Sequence, residues 1–226
     1  MKFTYYGHSC FSVQTSGKTL LFDPFISGNP LASGIKIKSI KADYILISHG
    51  HEDHIADAVA LAKQTGAKVI SNFEIHHWLG KQGVGNTHPM NHGGKALFDF
   101  GTVKYVSAIH SSMLPDGSYG GNPGGFVIDS KEGSFYYSGD TALTRDMRLI
   151  SEGTELKFAV LCIGDNFTMG PEDAVRAASL IRCRQIVGVH YDTFPAIRLD
   201  KEQAVRIFQL AERDLHLVPI GDTIEF

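Results

Sequence analysis

The stretch LISHGHEDH, residues 46–54, determines how the rest of the sequence is interpreted. It continues an apolar segment, Tyr44–Ile47, whose composition is typical of a buried strand. The six positions HGHEDH after this segment hold three histidines and an aspartate that are candidate metal ligands: His49, His51, Asp53 and His54. Such a dense spacing of imidazole and carboxylate groups indicates a metal site rather than an ordinary polar loop.

The spacing within this stretch predicts that its candidate ligand side chains point into one cleft from two directions. His49 and His51 are two residues apart, so both project to the same side where the backbone stays extended. Gly50 between them permits a sharp turn. Asp53 and His54 then point toward the cleft from the start of a helix. This arrangement suits two neighbouring cations.

A site for two metals needs further ligands, and three candidates follow other predicted strands. His110 follows VKYVSAI, Asp140 follows FYYSG, and His190 follows IVGV. Each of them alone is also compatible with a capped loop or a polar core residue. Together with the ligand-rich stretch, they predict one shared site at the ends of several strands.

The composition favours a globular cytoplasmic domain. The chain has 226 residues, 43% hydrophobic and 20% charged, and a formal net charge of −3, so nucleic acid is not expected as a partner. We find no apolar run of about 18 residues for a membrane helix and no signal-peptide core. The three cysteines have no paired metal-site spacing, which predicts buried free thiols in a reducing compartment. Residues 1–226 are expected to form a single domain.

The apolar periodicity changes along the chain from alternation to helical spacing. It predicts strands at Lys2–Tyr6, Cys10–Thr15, Thr19–Phe22, Tyr44–Ile47, Lys68–Ile70, Lys95–Phe98, Val103–Ala108, Gly125–Asp129, Ser134–Ser138, Phe158–Ile163 and Gln185–Val189, with a short final strand. It predicts helices from near Ile55 to Gly66 and at Phe73–Lys81, Thr144–Ser151, Pro171–Ile181 and Lys201–Arg213. This order favours sheets covered by helices on their outer faces.

HGHEDH, followed by His110, the SGD at Asp140 and the GVHYD at His190, resembles the metallo-β-lactamase fold superfamily of metal-dependent hydrolases over essentially the whole chain. The segments YYGHSCF, FDPFISGNP, YGGNPGGF and IGDNFTMGPEDA are similar to the branch that contains L-ascorbate-6-phosphate lactonase. The resemblance implies an α/β (α+β) fold, a four-layer αβ/βα sandwich with metals at the sheet edges. It implies one metal on His49, His51 and His110, a second on Asp53, His54 and His190, and Asp140 as the bridging carboxylate.

Such a ligand set predicts hydrolysis of a small molecule, a lactone or another ester-like bond, by a hydroxide held between two divalent ions. Zinc is the first expectation for the metal, and manganese, iron or nickel also suit these ligands. The alternatives are a phosphodiesterase or nuclease on the same site and a non-catalytic metal or ligand sensor. A β-lactamase is disfavoured because no export signal is found.

Four further residues are candidates near this site. His8, in YGHS, is expected to contact substrate, act as a general acid or add a metal ligand, unless it only hydrogen-bonds within its loop. Asp165 and Asp23 are candidates to orient a ligand histidine, and Asp23 is equally compatible with starting a turn before Pro24. The apolar loop at Phe25 is expected to roof the cleft or to pack on a partner in a homo-oligomer.

Overall fold

The computed structural model describes residues 1–226, which form two sheets of seven strands each. The strands are β1 (Lys2–Gly7), β2 (Cys10–Thr15), β3 (Lys18–Phe22), β4 (Tyr44–Leu46), β5 (Lys68–Asn72), β6 (Thr87–Met90), β7 (Lys95–Phe98), β8 (Gly101–Ser107), β9 (Gly124–Ser130), β10 (Gly133–Tyr137), β11 (Leu156–Cys162), β12 (Gln185–Val189), β13 (Asp214–His216) and β14 (Thr223–Glu225). The first sheet has the order β14-β1-β2-β3-β4-β5-β6, and the second has the order β13-β12-β11-β10-β9-β8-β7.

Six helices cover the outer faces of the sheets. They are α1 (Glu52–Ile55), α2 (Ala58–Thr65), α3 (Phe73–Lys81), α4 (Arg148–Gly153), α5 (Pro171–Leu180) and α6 (Lys201–Leu210). The first three pack their apolar sides on the first sheet, and the other three pack on the second. None of the helices is long and apolar enough to cross a membrane.

The strand alternation explains the layers, because successive side chains point to opposite faces of a sheet. Phe22 of the first sheet and Phe135 of the second point inward and pack together, with their ring centroids 5.8 Å apart. Ile45 and Val69 point outward and pack against the helices of the first sheet. The predicted four-layer αβ/βα sandwich is therefore confirmed.

Strand direction brings the ends of distant segments to one edge. β3 and β4 are parallel neighbours in the first sheet, and β10, β11 and β12 are parallel neighbours in the second. The polar residues that follow these strands therefore emerge side by side, as at the carboxyl edges of other sheets with parallel strands. The strands β2 and β3 form an antiparallel hairpin, and its turn residues Ser16 and Gly17 have φ of 49° and 74°.

Some predicted boundaries were wrong. The helix expected to start near Ile55 begins at Glu52 instead and is interrupted at Asp57, whose carboxylate accepts hydrogen bonds from the backbone N–H groups of Ile26 and Ser27. Strand β6 was not predicted, because a proline lies within its four residues and its apolar pattern is weak. The helix expected at Thr144–Ser151 begins as a 3₁₀ turn and becomes α-helical at Arg148.

Candidate metal centre

The first group of potential ligands consists of three histidines. His49 and His51 follow β4, and His110 follows β8 on the opposite sheet. Their ligating nitrogens lie within 4.8 Å of one another, and Nε2 of His49 is 3.0 Å from Nδ1 of His51. These are the three residues that the family resemblance assigns to one metal.

The second group contains His8 in addition to the three residues that the family resemblance assigns to the second metal. His8, Asp53, His54 and His190 bring their ligating atoms within 4.8 Å of one another. Oδ2 of Asp53 is 3.9 Å from Nε2 of both His54 and His190, and only 2.9 Å from Nε2 of His8. His8 therefore lies inside the centre rather than beside it.

Asp140 lies between the two groups. Its Oδ2 is 2.8 Å from Nε2 of His190 and 3.2 Å from Nε2 of His54, both in the second group. The same oxygen is 3.6 Å from Nε2 of His110 and 4.0 Å from Nε2 of His49, both in the first group. A single carboxylate thus faces four imidazoles from both groups.

The electrostatics of this buried carboxylate favour a positive partner. Burial acts to raise the pKa of Asp140, but the facing imidazoles of His190 and His54 hold it well below its usual value. Burial likewise opposes the charge on His54, yet the carboxylates of Asp140 and Asp53 raise the pKa of that imidazole well above its usual value. Burial lowers the pKa of His49, so this imidazole stays neutral and can bind a cation.

Unpaired polar atoms indicate where a cation fits. Oδ1 of Asp140 and Nε2 of His54 are buried and have no hydrogen-bond partner, although Nε2 of His54 lies 3.2 Å from Oδ2 of Asp140. Buried polar atoms without partners are rare in folded proteins. Imidazole nitrogens and carboxylate oxygens form a donor set suited to divalent ions such as zinc. The residues therefore fit the metal centre that the sequence predicts.

Asp23 orients two of the histidines. Its Oδ2 lies 2.8 Å from Nδ1 of His54 and also accepts a hydrogen bond from the Ser48 hydroxyl. Because that hydroxyl donates to Asp23, it accepts from Nδ1 of His49, 2.9 Å away. Both imidazoles then hold a proton on Nδ1 and turn Nε2 to the centre, where His54 must lose its second proton before it can bind a cation. The expectation that Asp23 holds a ligand histidine matches this geometry.

The backbone at the centre is held in unusual conformations. His8, Asp23 and His190 have φ of 55°, 39° and 61°, a left-handed region that few residues other than glycine adopt. The backbone N–H of His190 donates to the carbonyl of His8 at 2.8 Å, which ties the loop of one sheet to the turn of the other. Outliers of this kind concentrate at functional sites.

Asp165 was expected to orient a ligand histidine, but the structure does not place it beside one. Its carboxylate accepts a hydrogen bond from the backbone N–H of Asn166 at 2.8 Å, and it forms no ion pair or hydrogen bond with a histidine. The side chain is exposed and φ is 60°, so the residue shapes a turn after β11. The sequence could not separate it from Asp23, because both follow a strand and precede a loop.

The loop at Phe25 is also placed differently from the expectation. Phe25 and Ile26 are 6% and 3% exposed, so they are packed within this chain rather than offered to a partner. The Phe25 ring meets the His8 imidazole edge to face, with centroids 5.7 Å apart. This loop therefore packs against His8 of the metal centre. A homo-oligomeric state stays a prediction.

A cavity of about 280 Å³ opens over the centre. It is lined by His51, Asp53, His110, Ser111, Asp140, Phe167, His190 and Phe194. Sequence reasoning missed the two phenylalanines; the only signal was an aromatic residue inside the polar turn GDNFTMG. A larger cavity, about 590 Å³, lies on the outer face of the second sheet and contains none of the predicted ligands.

Comparison with known proteins gives consistent results. Residues 2–190 match the family described as "Beta-lactamase superfamily domain". The chain is 52% identical over 224 residues to a "UPF0173 metal-dependent hydrolase" of Methylacidiphilum infernorum, covering 99% of each chain. It is also 52% identical over 225 residues to the protein of that name in Flavobacterium johnsoniae, covering 100% of each.

A solved structure, described as Igni18, a metallo hydrolase from the hyperthermophilic archaeon Ignicoccus hospitalis, is similar with a TM-score of 0.88 at 35% sequence identity. The match covers 100% of this chain and 98% of that one. The sequence match, the sandwich of two sheets and the His/Asp centre all agree. The chain therefore belongs to the beta-lactamase superfamily, has the metallo-β-lactamase fold and is a metal-dependent hydrolase.

Proposed function

We propose that this chain hydrolyses a lactone or another ester-like bond of a small molecule, using two divalent metal ions. The observation that carries this proposal is the position of Asp140, whose Oδ2 lies within 4.0 Å of imidazoles from both ligand groups. A buried carboxylate shared by two groups of ligands is the arrangement expected of a bridging ligand. Zinc is the first candidate, and manganese, iron or nickel also suit nitrogen and oxygen donors.

When bound, the ions supply a Lewis acid and bring the pKa of a coordinated water from 15.7 toward about 7. Hydrolysis adds the oxygen of water to the carbonyl carbon and breaks the bond between that carbon and the leaving oxygen. One proton of water ends on the leaving oxygen, so that a lactone gives a hydroxy acid. The residues of the chain must hold the reacting groups and carry that proton.

Asp53 is the residue best placed to handle the proton. Its side chain is 26% exposed and lines the cavity. Burial, with a smaller contribution from His190, lowers the pKa of His8 to about 4, so this imidazole is neutral at pH 7. A neutral His8 donates from Nε2 to Asp53 and accepts at Nδ1 from Thr193, 3.0 Å away. His8 then fixes the carboxylate of Asp53 in one orientation.

A single experiment tests this proposal. Metal-stripped protein is assayed on lactones and phosphodiesters before and after adding zinc or manganese, and bound metal is counted by mass spectrometry. We expect two ions per chain and lactone opening that depends on them. His51→Ala should remove the activity, while His77→Ala, an exposed histidine on α3, should not. Phosphodiester cleavage without lactone opening, or a single bound ion, would contradict the proposal.

A further inference from the structure

The cavity over the metal centre has two different walls. One wall is formed by the potential metal ligands, with Ser111 beside them. The other is formed by Phe167 and Phe194. The lining includes no lysine or arginine, and its only formally charged groups are the carboxylates of Asp53 and Asp140. Phosphate-binding sites use basic side chains that carry the opposite charge.

Phe167 is held in an exposed position by its turn. Asp165 and Asn166 before it have φ of 60° and 54°, and short polar residues tolerate this left-handed conformation best. The Asp165 carboxylate caps the N–H of Asn166, and the backbone N–H of Asp165 donates to Met169 at 3.0 Å. The Phe167 ring is left 55% exposed. An exposed aromatic ring presented by a strained turn beside a metal centre indicates a binding role.

Phe194 reaches the same cavity from the neighbouring loop. β11 and β12 are adjacent parallel strands, so the loops that follow them leave the sheet at the same edge. Pro195 restricts Phe194 to an extended backbone, with φ of −123° and ψ of 153°. Its ring meets the His8 imidazole edge to face, with centroids 5.5 Å apart. The structure thus gives this cavity an aromatic wall next to the reacting centre.

We propose that the non-reacting part of the substrate is an uncharged aromatic or branched alkyl group that binds against Phe167 and Phe194. This inference rests on the proposed lactone or ester hydrolysis and adds its substrate class. Aromatic side chains bind apolar groups by burial and by edge or offset ring contacts. A substrate whose non-reacting part carries a phosphate finds no basic partner in this cavity.

The test compares two lactones that differ only in an aromatic group. The ratio of kcat/KM for γ-phenyl-γ-butyrolactone to that for γ-butyrolactone is measured in the metal-loaded enzyme. We expect Phe167→Ala to lower this ratio about tenfold, equivalent to about 1.4 kcal/mol, and Phe167→Leu to lower it less. Phe73→Ala is the matched control, because Phe73 is 56% exposed but lies on α3, outside the cavity.

Several results would overturn the inference. An unchanged ratio in Phe167→Ala, or an equal loss in Phe73→Ala, would show that the ring does not hold the substrate. Faster opening of 6-phosphogluconolactone than of glucono-δ-lactone would show that the site selects phosphate. Bound metal is measured in each variant, so that a damaged centre is not mistaken for a lost contact.

A binding measurement separates this inference from the proposed function. If no lactone is opened, the proposed function fails, but the aromatic wall is still tested with product-like ligands. Calorimetry with 4-phenylbutyrate and butyrate on the metal-loaded protein should show at least tenfold tighter binding of the phenyl compound. Phe167→Ala should remove that difference. Equal affinities in the unsubstituted protein would contradict the aromatic wall itself.

Discussion

Four hydrogen bonds converge on the carboxylate of Asp23, a side chain with no exposed surface. The donors are the backbone N–H and hydroxyl of Ser48, Nδ1 of His54 and the hydroxyl of Tyr137. Asp23→Ala leaves these donors unpaired in the core, so we expect a loss of about 2–4 kcal/mol in the free energy of unfolding. Metal affinity should fall about 10–100-fold, because two histidines lose their orientation. Urea unfolding and metal competition measure both effects.

The matched control for Asp23 is Asp23→Asn. It keeps the size of the side chain and tolerates the φ of 39°, but its NH₂ group cannot accept a hydrogen bond. We expect a smaller loss of stability than in Asp23→Ala and a similar loss of metal affinity. If both variants bind metal as tightly as the original protein, Asp23 is only a structural residue.

The thiols of Cys10, Cys162 and Cys183 are buried and free. Burial raises the pKa of Cys162 and of Cys183 to about 11, and that of Cys10 still higher. Because the folded pKa exceeds the unfolded value of about 8.5, these groups favour folding below pH 8.5, and this contribution is lost as the pH rises. Thiolates are the reactive form. We expect no rapid labelling by a thiol reagent at pH 8, and labelling of all three in denaturant.

Fast labelling of any one cysteine in the native protein at pH 8 would show an accessible thiolate and contradict this burial. The sequence predicted the free thiols from their odd number and irregular spacing. Their predicted burial is confirmed, but the sequence could not give their core contacts, which depend on which face of each strand or helix meets the core.

The segments that follow β11 and β12 are in close contact at the centre. A Cβ added at Gly164 would lie 2.0 Å from the carbonyl oxygen of His190. Gly164→Ala must therefore shift the backbone that carries His190, and overpacking of this kind costs about 1–3 kcal/mol. We expect lower stability together with reduced metal binding, measured by thermal unfolding and by mass spectrometry.

Gly80→Ala is the control for Gly164→Ala, because it makes the same substitution away from the metal centre. Gly80 lies inside α3 with open space around its Cβ position, so alanine should stabilise the protein by about 0.5–1 kcal/mol. Full metal binding in Gly164→Ala would show that the close contact between the two strand ends does not position His190.

Local sequence identified the elements that position the centre. His49, His110, Asp140 and His190 each follow an apolar strand. Parallel neighbours bring the ends before His49, Asp140 and His190 to one edge, while β8 before His110 has antiparallel neighbours. The family resemblance supplied how the ligands divide between two metals. The early start of α1 was missed because HGHEDH has no apolar periodicity, although acidic residues in a first turn favour a helix there.

Contacts between the sheets were beyond local sequence. Tyr137 of the second sheet donates to Asp23 of the first at 2.6 Å, and nothing in either segment indicates this pair. The same limit applies to Phe167, whose exposure depends on the left-handed turn at Asp165. Contacts between side chains that are far apart in the sequence can be identified only once the folded structure is known.

At the scale of the whole molecule, the metal centre joins the two sheets. The first sheet supplies HGHEDH and His8, while the second supplies His110, Asp140 and His190. A ligand that binds only the folded state stabilises it, by about 2.7 kcal/mol at 100 times its dissociation constant. For a chain of this length, each kcal/mol changes Tm by about 2–4 °C. Removing one such ion should therefore lower Tm by about 5–10 °C, and removing both ions should lower it further.

The measurement is thermal unfolding with a chelator and after adding zinc or manganese back. His110→Ala removes one ligand from the first group only, so it should reduce the metal-dependent rise in Tm without abolishing it. His77→Ala, remote from the centre, should keep the full rise. If the chelator leaves Tm unchanged in a protein shown to have lost its metal, the sheets are held together by their apolar core alone. Metal binding would then be independent of folding, contrary to the coupling expected of a centre built from both sheets.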